Sequence, residues 1–252
     1  MPDEMRTSLW DHLEELRKVL FQSILALAIT TTLSFFVSDF ILRWLISPYR
    51  RAASWMHLAD ASPTLMTLYP SEAFMMSFRI ALIGGVILAL PVLLAQIWGF
   101  VSPALKPQEK GAILPALYAG TGLFLVGAVF AFYIVVPTAL QFFWEYGKNM
   151  GVQTAWTLSH YLSFVLLFLL AFGLVFELPL VIILLVLFDV ITPKSLAEKR
   201  PYIVVAIFIV AAVLTPPDVM SQLMLAGPMW LLFEGSLLVS RIWIRKEKKG
   251  EV

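Results

Sequence analysis

The chain of 252 residues contains no cysteine, which excludes disulfides, thiolate metal sites and cysteine nucleophiles. Charge is scarce as well. Charged residues make up 14% of the sequence against 60% hydrophobic ones, and the mean hydropathy is +0.86, far from the balance of an average soluble domain. Histidine occurs only as His12, His57 and His160, none inside an apolar run, and no HExxH, GxSxG, Walker A or GxGxxG pattern appears. Catalysis is therefore not expected. A cleavable leader is not expected either, because Asp3, Glu4, Asp11, Glu14 and Glu15 crowd the N-terminal region and the apolar stretch that follows is too long for a leader core.

What the sequence does have is long apolar runs. Six can be marked, at 19–38, 73–98, 112–136, 161–188, 202–215 and 219–240. They are continuous and lack strand alternation, so each reads as a membrane helix, because backbone groups in lipid must bond internally. The expected fold is all-α: one polytopic transmembrane domain over 1–252, with no internal repeat and no soluble domain. An even number of spans puts both termini on one side. With the termini inside, only Arg43, Arg50, Arg51 and Lys148 of the 18 Lys and Arg lie outside and Arg79 lies within a span, so the positive-inside rule predicts cytoplasmic termini.

The spans are not alike. The fifth is interrupted by Thr215-Pro-Pro-Asp218, so helix there reaches only about 20 Å, and Gln222 and Pro228 break up the start of the sixth. A short hairpin at one edge is expected. The segment from Asp39 to Glu72, with Pro48, Pro63, Pro70, Trp44 and Trp55, reads as an ordered external cap, and Pro137 to His160 is similar in character. Ala112, Ala116 and Gly120, then Gly127 and Ala131, recur at four-residue spacing and mark a face for close helix packing.

Few polar groups lie where chemistry could use them. Glu177 is alone in the fourth run, at a depth where a carboxylate faces protein or water and marks either a functional position or a satisfied core carboxyl. Ahead of the first run, Ser8 reads as a helix cap with Asp11 three residues on. Leu9, Leu13, Leu16 and Leu20 then share one face, and Asp11, Glu15 and Lys18 another. Glu109 puts a further carboxylate on the same side of the membrane. Local pairs such as Glu14 with Lys18 are the plain alternative for these charges.

The segments His12-Leu-Glu-Glu-Leu-Arg17, Phe100-Val-Ser-Pro-Ala-Leu105 followed by Glu109, Phe172-Gly-Leu-Val-Phe-Glu-Leu-Pro179, Ile191-Thr-Pro193, Lys199-Arg-Pro-Tyr202 and Leu214-Thr-Pro-Pro-Asp-Val-Met-Ser-Gln222 together resemble the TatC family. This is the core component of the twin-arginine, Sec-independent protein translocase. The matches run in order along nearly the whole chain. One departure is the loop Ala104-Leu-Lys-Pro-Gln-Glu109, where the family commonly has an aromatic residue and often a histidine before the glutamate.

The resemblance implies a receptor in the bacterial cytoplasmic (inner) membrane that binds twin-arginine signal peptides of folded precursors. It implies an oligomeric complex with TatB and TatA, driven by the proton-motive force, with no cofactor and no nucleic acid. It also implies roles. Glu15 and Glu109 would receive the two arginines, with Leu16, Arg17 and Phe100 beside them; Pro48 would belong to the external cap; Glu177 would be the intramembrane polar position; Asp218 and Gln222 would mark where partner helices dock. The alternative from the residues alone is a proton-coupled small-solute transporter that uses Glu177 as its relay.

Overall fold

The computed structural model describes residues 2–55, 65–101, 111, 113–152 and 154–248; Glu109 and the loop around it lie outside the described residues. These residues are helical apart from short connections and one isolated bridge between Met66 and Thr157. Five helices among them are long and apolar enough to cross a membrane, and a sixth, shorter apolar helix spans Arg200–Leu214. The chain is a polytopic helical membrane protein. It divides into two compact units, Met1–Leu42 with Phe74–Thr121, and Arg43–Ala73 with Gly122–Val252.

In the first unit, α1 (Pro2–Phe36) is one helix of 35 residues, about 52 Å at ~1.5 Å per residue. It starts before Ser8, which therefore lies inside the helix rather than capping it. Pro2 suits the first turn, where its missing N–H leaves no bond unmade. α4 (Glu72–Val101) packs against α1 through small residues. The Thr30 hydroxyl donates to the Gly85 carbonyl at 2.9 Å. A Cβ on Gly85 would lie 2.7 Å from the Thr31 Cα, so only glycine permits this approach. Farther along, the rings of Phe35 and Phe78 meet at 5.1 Å.

In the second unit, α3 (Ser47–Trp55) follows α2 (Ser38–Leu45), which straddles the boundary of the units. The third span runs on past its expected end. α5 (Ile113–Phe130), a π-helical turn (Ala131–Val135) and α6 (Val136–Asn149) form one continuous rod. Pro137, expected to start the external segment, has no N–H to donate and would clash with the carbonyl of the preceding turn. The π-turn absorbs it: Val136 N–H reaches back to the Ala131 carbonyl, and the Thr138 hydroxyl donates to the Ile134 carbonyl at 2.7 Å.

The fourth span is in two pieces, α7 (Leu158–Phe176) and α8 (Leu178–Leu187), with Glu177 between them. The cause is local, since Pro179 cannot continue the ladder. α9 (Pro193–Glu198) is a short connector capped by Thr192. α10 (Arg200–Leu214) has 15 residues and reaches about 22 Å, short of a ~30 Å hydrocarbon core. α11 (Val219–Lys248) packs against α8 and α10. The close-packing face expected around Gly127 finds its partner in α7: a Cβ there would lie 2.5 Å from the Phe172 carbonyl oxygen and 2.8 Å from Phe176 Cγ.

Gly127→Ala should therefore destabilise the chain by about 1 to 3 kcal/mol through overpacking. A Cβ at Gly122 meets nothing within 4 Å, so Gly122→Ala should be neutral or stabilising by up to about 1 kcal/mol. Thermal unfolding of the two variants in detergent checks the contrast; equal midpoints would refute it.

Candidate functional site

Of the residues expected to form a binding site, Glu15, Leu16 and Arg17 sit on α1 and Phe100 on α4. Glu15 is half-buried and makes no hydrogen bond or ion pair among the described residues, and Leu16 is exposed. Arg17 reaches only Glu14, at 3.8 Å, with the two side chains 82% and 75% exposed, so the expected Glu14–Lys18 pair is replaced by a weak one that is open to solvent. Phe100 is half-buried near the end of α4.

Helix register relates these residues. Thr30 touches Gly85, and Phe35 on α1 meets Phe78 on α4, so the two helices run antiparallel. Stepping from Thr30 back to Glu15 covers the same length as stepping from Gly85 on to Phe100, about 22 Å in each case. Glu15 and Phe100 thus lie at one level of the α1/α4 pair. Glu109, the second carboxylate, lies beyond Phe100 in the chain and outside the described residues.

The other predicted residues have duties of their own. Glu177 is half-buried, and its Oε1 is buried without a hydrogen-bond partner among the described residues. Asp218 caps α11, its Oδ1 accepting from Ser221 N–H at 2.7 Å. The Gln222 side-chain amide donates to the Phe208 carbonyl at 3.0 Å and ties α11 to α10. At the other end of that hairpin Arg200 forms a bidentate pair with Glu234, at 2.7 and 2.6 Å. Among the described residues, no group of three or more His, Cys, Asp or Glu could hold a metal ion.

Pro48 is fully buried in the cap, and the residues that hold this cap were not singled out from the sequence. Tyr49 next to it packs with ring centroids 5.1 to 5.8 Å from those of Trp144, Trp156 and Tyr161, tilted against the first two and edge-on to the third, and burial pushes its hydroxyl pKa above the usual value. Tyr161 donates to the Leu45 carbonyl at 2.6 Å. Glu72 does most: its Oε2 accepts from Leu68 N–H at 2.7 Å and its Oε1 from Ser159 N–H at 2.8 Å. One buried carboxylate thereby closes a loop and covers the N-terminus of α7. An acidic residue in the first turn of a helix is a visible signal; a partner 87 residues away is not.

A sequence profile described as Sec-independent protein translocase protein (TatC) matches residues 11–228. The chain is 39% identical to the Sec-independent protein translocase protein TatC of Carboxydothermus hydrogenoformans, over 100% of this chain and 99% of that one. It is 37% identical to the protein of that name from Aquifex aeolicus, over 96% and 98%, and 36% identical to that of Escherichia coli, over 95% and 90%. A crystal structure of the twin arginine translocase receptor TatC superposes with a TM-score of 0.80 at 36% identity, covering 92% of this chain and 98% of that one.

Glu72→Gln replaces one acceptor oxygen of the cap clasp with an amide that cannot accept. It should lower the thermal midpoint and speed hydrogen exchange at the Leu68 and Ser159 amides. Unchanged exchange at both amides would remove Glu72 from this role.

Proposed function

From the premise that this chain belongs to the TatC family of Sec-independent protein translocases, we propose that it binds twin-arginine signal peptides at its cytoplasmic face. The family is a translocase component and not a family of enzymes, and membership in it displaces the small-solute alternative. In this reading the protein sits in the cytoplasmic (inner) membrane with six spans and both termini inside. It works as one domain in a complex with TatB and TatA that moves folded precursors, with the proton-motive force as driver.

The observation that carries the proposal is the shared level of Glu15 and Phe100 on the antiparallel α1/α4 pair. Glu109 follows Phe100 by nine residues in the chain, so a second carboxylate is available to the same side. Guanidinium is planar, stays charged and meets a carboxylate through two parallel hydrogen bonds, which lysine cannot reproduce. Glu15, without a partner of its own among the described residues, is free to receive one arginine. Exposed Leu13, Leu16 and Leu20 offer apolar surface beside it for the hydrophobic stretch of a signal peptide. Glu177, Asp218 and Gln222 belong, in this reading, to the later stage in which partner helices dock, and Pro48 to the external cap.

Orientation is checked with single cysteines in this cysteine-free chain. A cysteine at Ser54 should react with a membrane-impermeant thiol reagent in intact cells, and one at Ser195 should not. Labelling of Ser195 from outside would overturn the six-span arrangement.

The receptor site is tested by a double-mutant cycle on signal-peptide affinity. Glu15→Gln should weaken binding by about 1.5 to 3 kcal/mol, the range for a hydrogen bond to a charged group. Replacing both signal arginines by lysine should cost the wild type heavily and a Glu15→Gln, Glu109→Gln variant much less. Glu177→Ala should keep signal binding and lose transport. Additive losses from receptor and signal changes would mean that these side chains do not meet.

A further inference from the structure

α3 buries Pro48, Tyr49, Ala52 and Ala53 and leaves Arg50 and Trp55 exposed. Arg51 lies between these faces. Its Nη2 donates to Ser47 Oγ at 3.2 Å and its Nε reaches the Ser47 carbonyl at 3.4 Å. The guanidinium rests over the rings of Tyr133 and Phe132, at 4.5 and 5.1 Å from their centroids. Two consecutive residues can flank one cation because they belong to the π-turn, where the helix is wider and the usual rotation between neighbours is altered. The group is thus oriented from two sides. Among the described residues no carboxylate forms an ion pair with it, and its Nη1 has no acceptor.

Depth says what could meet it. From Ile113 to Tyr133 the continuous third span covers about 30 Å, the thickness of a hydrocarbon core. Phe132 and Tyr133, with Trp44 stacked on Phe132 at 3.8 Å, therefore fall at the level of the lipid headgroups, where aromatic belts sit. A fixed guanidinium with an open donor edge at that level matches a phosphate diester, which accepts two parallel hydrogen bonds. Arg50, exposed and next in the chain, adds a second positive charge.

We propose that Arg51, backed by Arg50, holds the phosphate of an anionic phospholipid and so anchors α3 to the bilayer surface. The lipid is preferred to a soluble anion because its acyl chains deliver the phosphate to this depth. The site is independent of the signal-peptide reading; only the naming of the external leaflet depends on the proposed orientation.

The test uses the full chain in nanodiscs of equal phosphatidylglycerol and phosphatidylcholine. A photoreactive residue at exposed Ile134 captures the neighbouring lipid, which mass spectrometry identifies. Wild type should favour phosphatidylglycerol by about fivefold, the factor for one arginine near a charged surface. Arg51→Gln should bring the ratio close to one, and Arg51→Lys should fall between, keeping charge but losing the fork. Lys148→Gln, far along α6, should change nothing. Excess inorganic phosphate should not displace the lipid; displacement would mean a soluble-anion site instead. If Arg51→Gln fails to fold, Arg51→Lys and Arg50→Gln decide, and an unchanged ratio in both overturns the proposal.

Discussion

Every feature of this chain answers to one constraint: the bilayer offers no hydrogen bonds, so each backbone group within it must find a partner in the protein. Proline makes the constraint visible. Pro137 is met by a π-turn and by the Thr138 hydroxyl, which donates to the Ile134 carbonyl. Pro179 is met by splitting the fourth span, with Val181 N–H donating to the Glu177 carbonyl at 3.0 Å to restart the ladder. Threonines elsewhere return their hydroxyls to carbonyls of the preceding turn, as Thr32 does to Ala28 and Thr121 to Leu117. Among the described residues, the one buried side-chain oxygen of the fourth span without a hydrogen-bond partner belongs to Glu177, at the break itself. Helix interruption and intramembrane carboxyl are thus one local event, which is why this residue stands out chemically.

Outside the hydrocarbon the rules change and the cap can use polar and aromatic contacts together. Glu72 closes the loop before α4 and the start of α7 with two short bonds to backbone N–H groups. Stacked Trp144 and Trp156, with ring centroids 5.0 Å apart, and Tyr161 bonded to Leu45 fill the space between. Such a cap fixes where α6 ends and α7 begins. α7, which ends at Glu177, therefore starts from a cap of buried side chains, and the break lies about 28 Å along the helix from that capped end.

Apolar runs, their order and the short apolar helix at Arg200–Leu214 were legible in the sequence because length and hydropathy alone decide them. So were Glu15 and Phe100 as candidates, through family resemblance, and register along α1 and α4 then supports their common level. Other features were not legible. Ser8 carries the chemistry of a cap, but Pro2 starts the helix and overrides it. Pro137 carries the chemistry of a stop, but a π-turn, which has no composition signal, carries the helix through. Glu72 and Ser159, like Arg200 and Glu234, meet only after folding, and spacing in the sequence gives no sign of either pair. Glu109, the remaining receptor candidate, lies outside the described residues.

The short hairpin shows how polar side chains hold an arrangement that lipid opposes. α10 is about 22 Å long; in the proposed six-span arrangement the bilayer beside it would have to thin by roughly 8 Å or have its mismatch covered, at a cost on the order of a few kcal/mol. A helix under that strain could relieve it by sliding or tilting. Two ties oppose this: the Arg200–Glu234 fork at one end and the Gln222 amide on the Phe208 carbonyl nearer the other. The fork fixes direction as well as distance, since a planar guanidinium meets a carboxylate in one orientation.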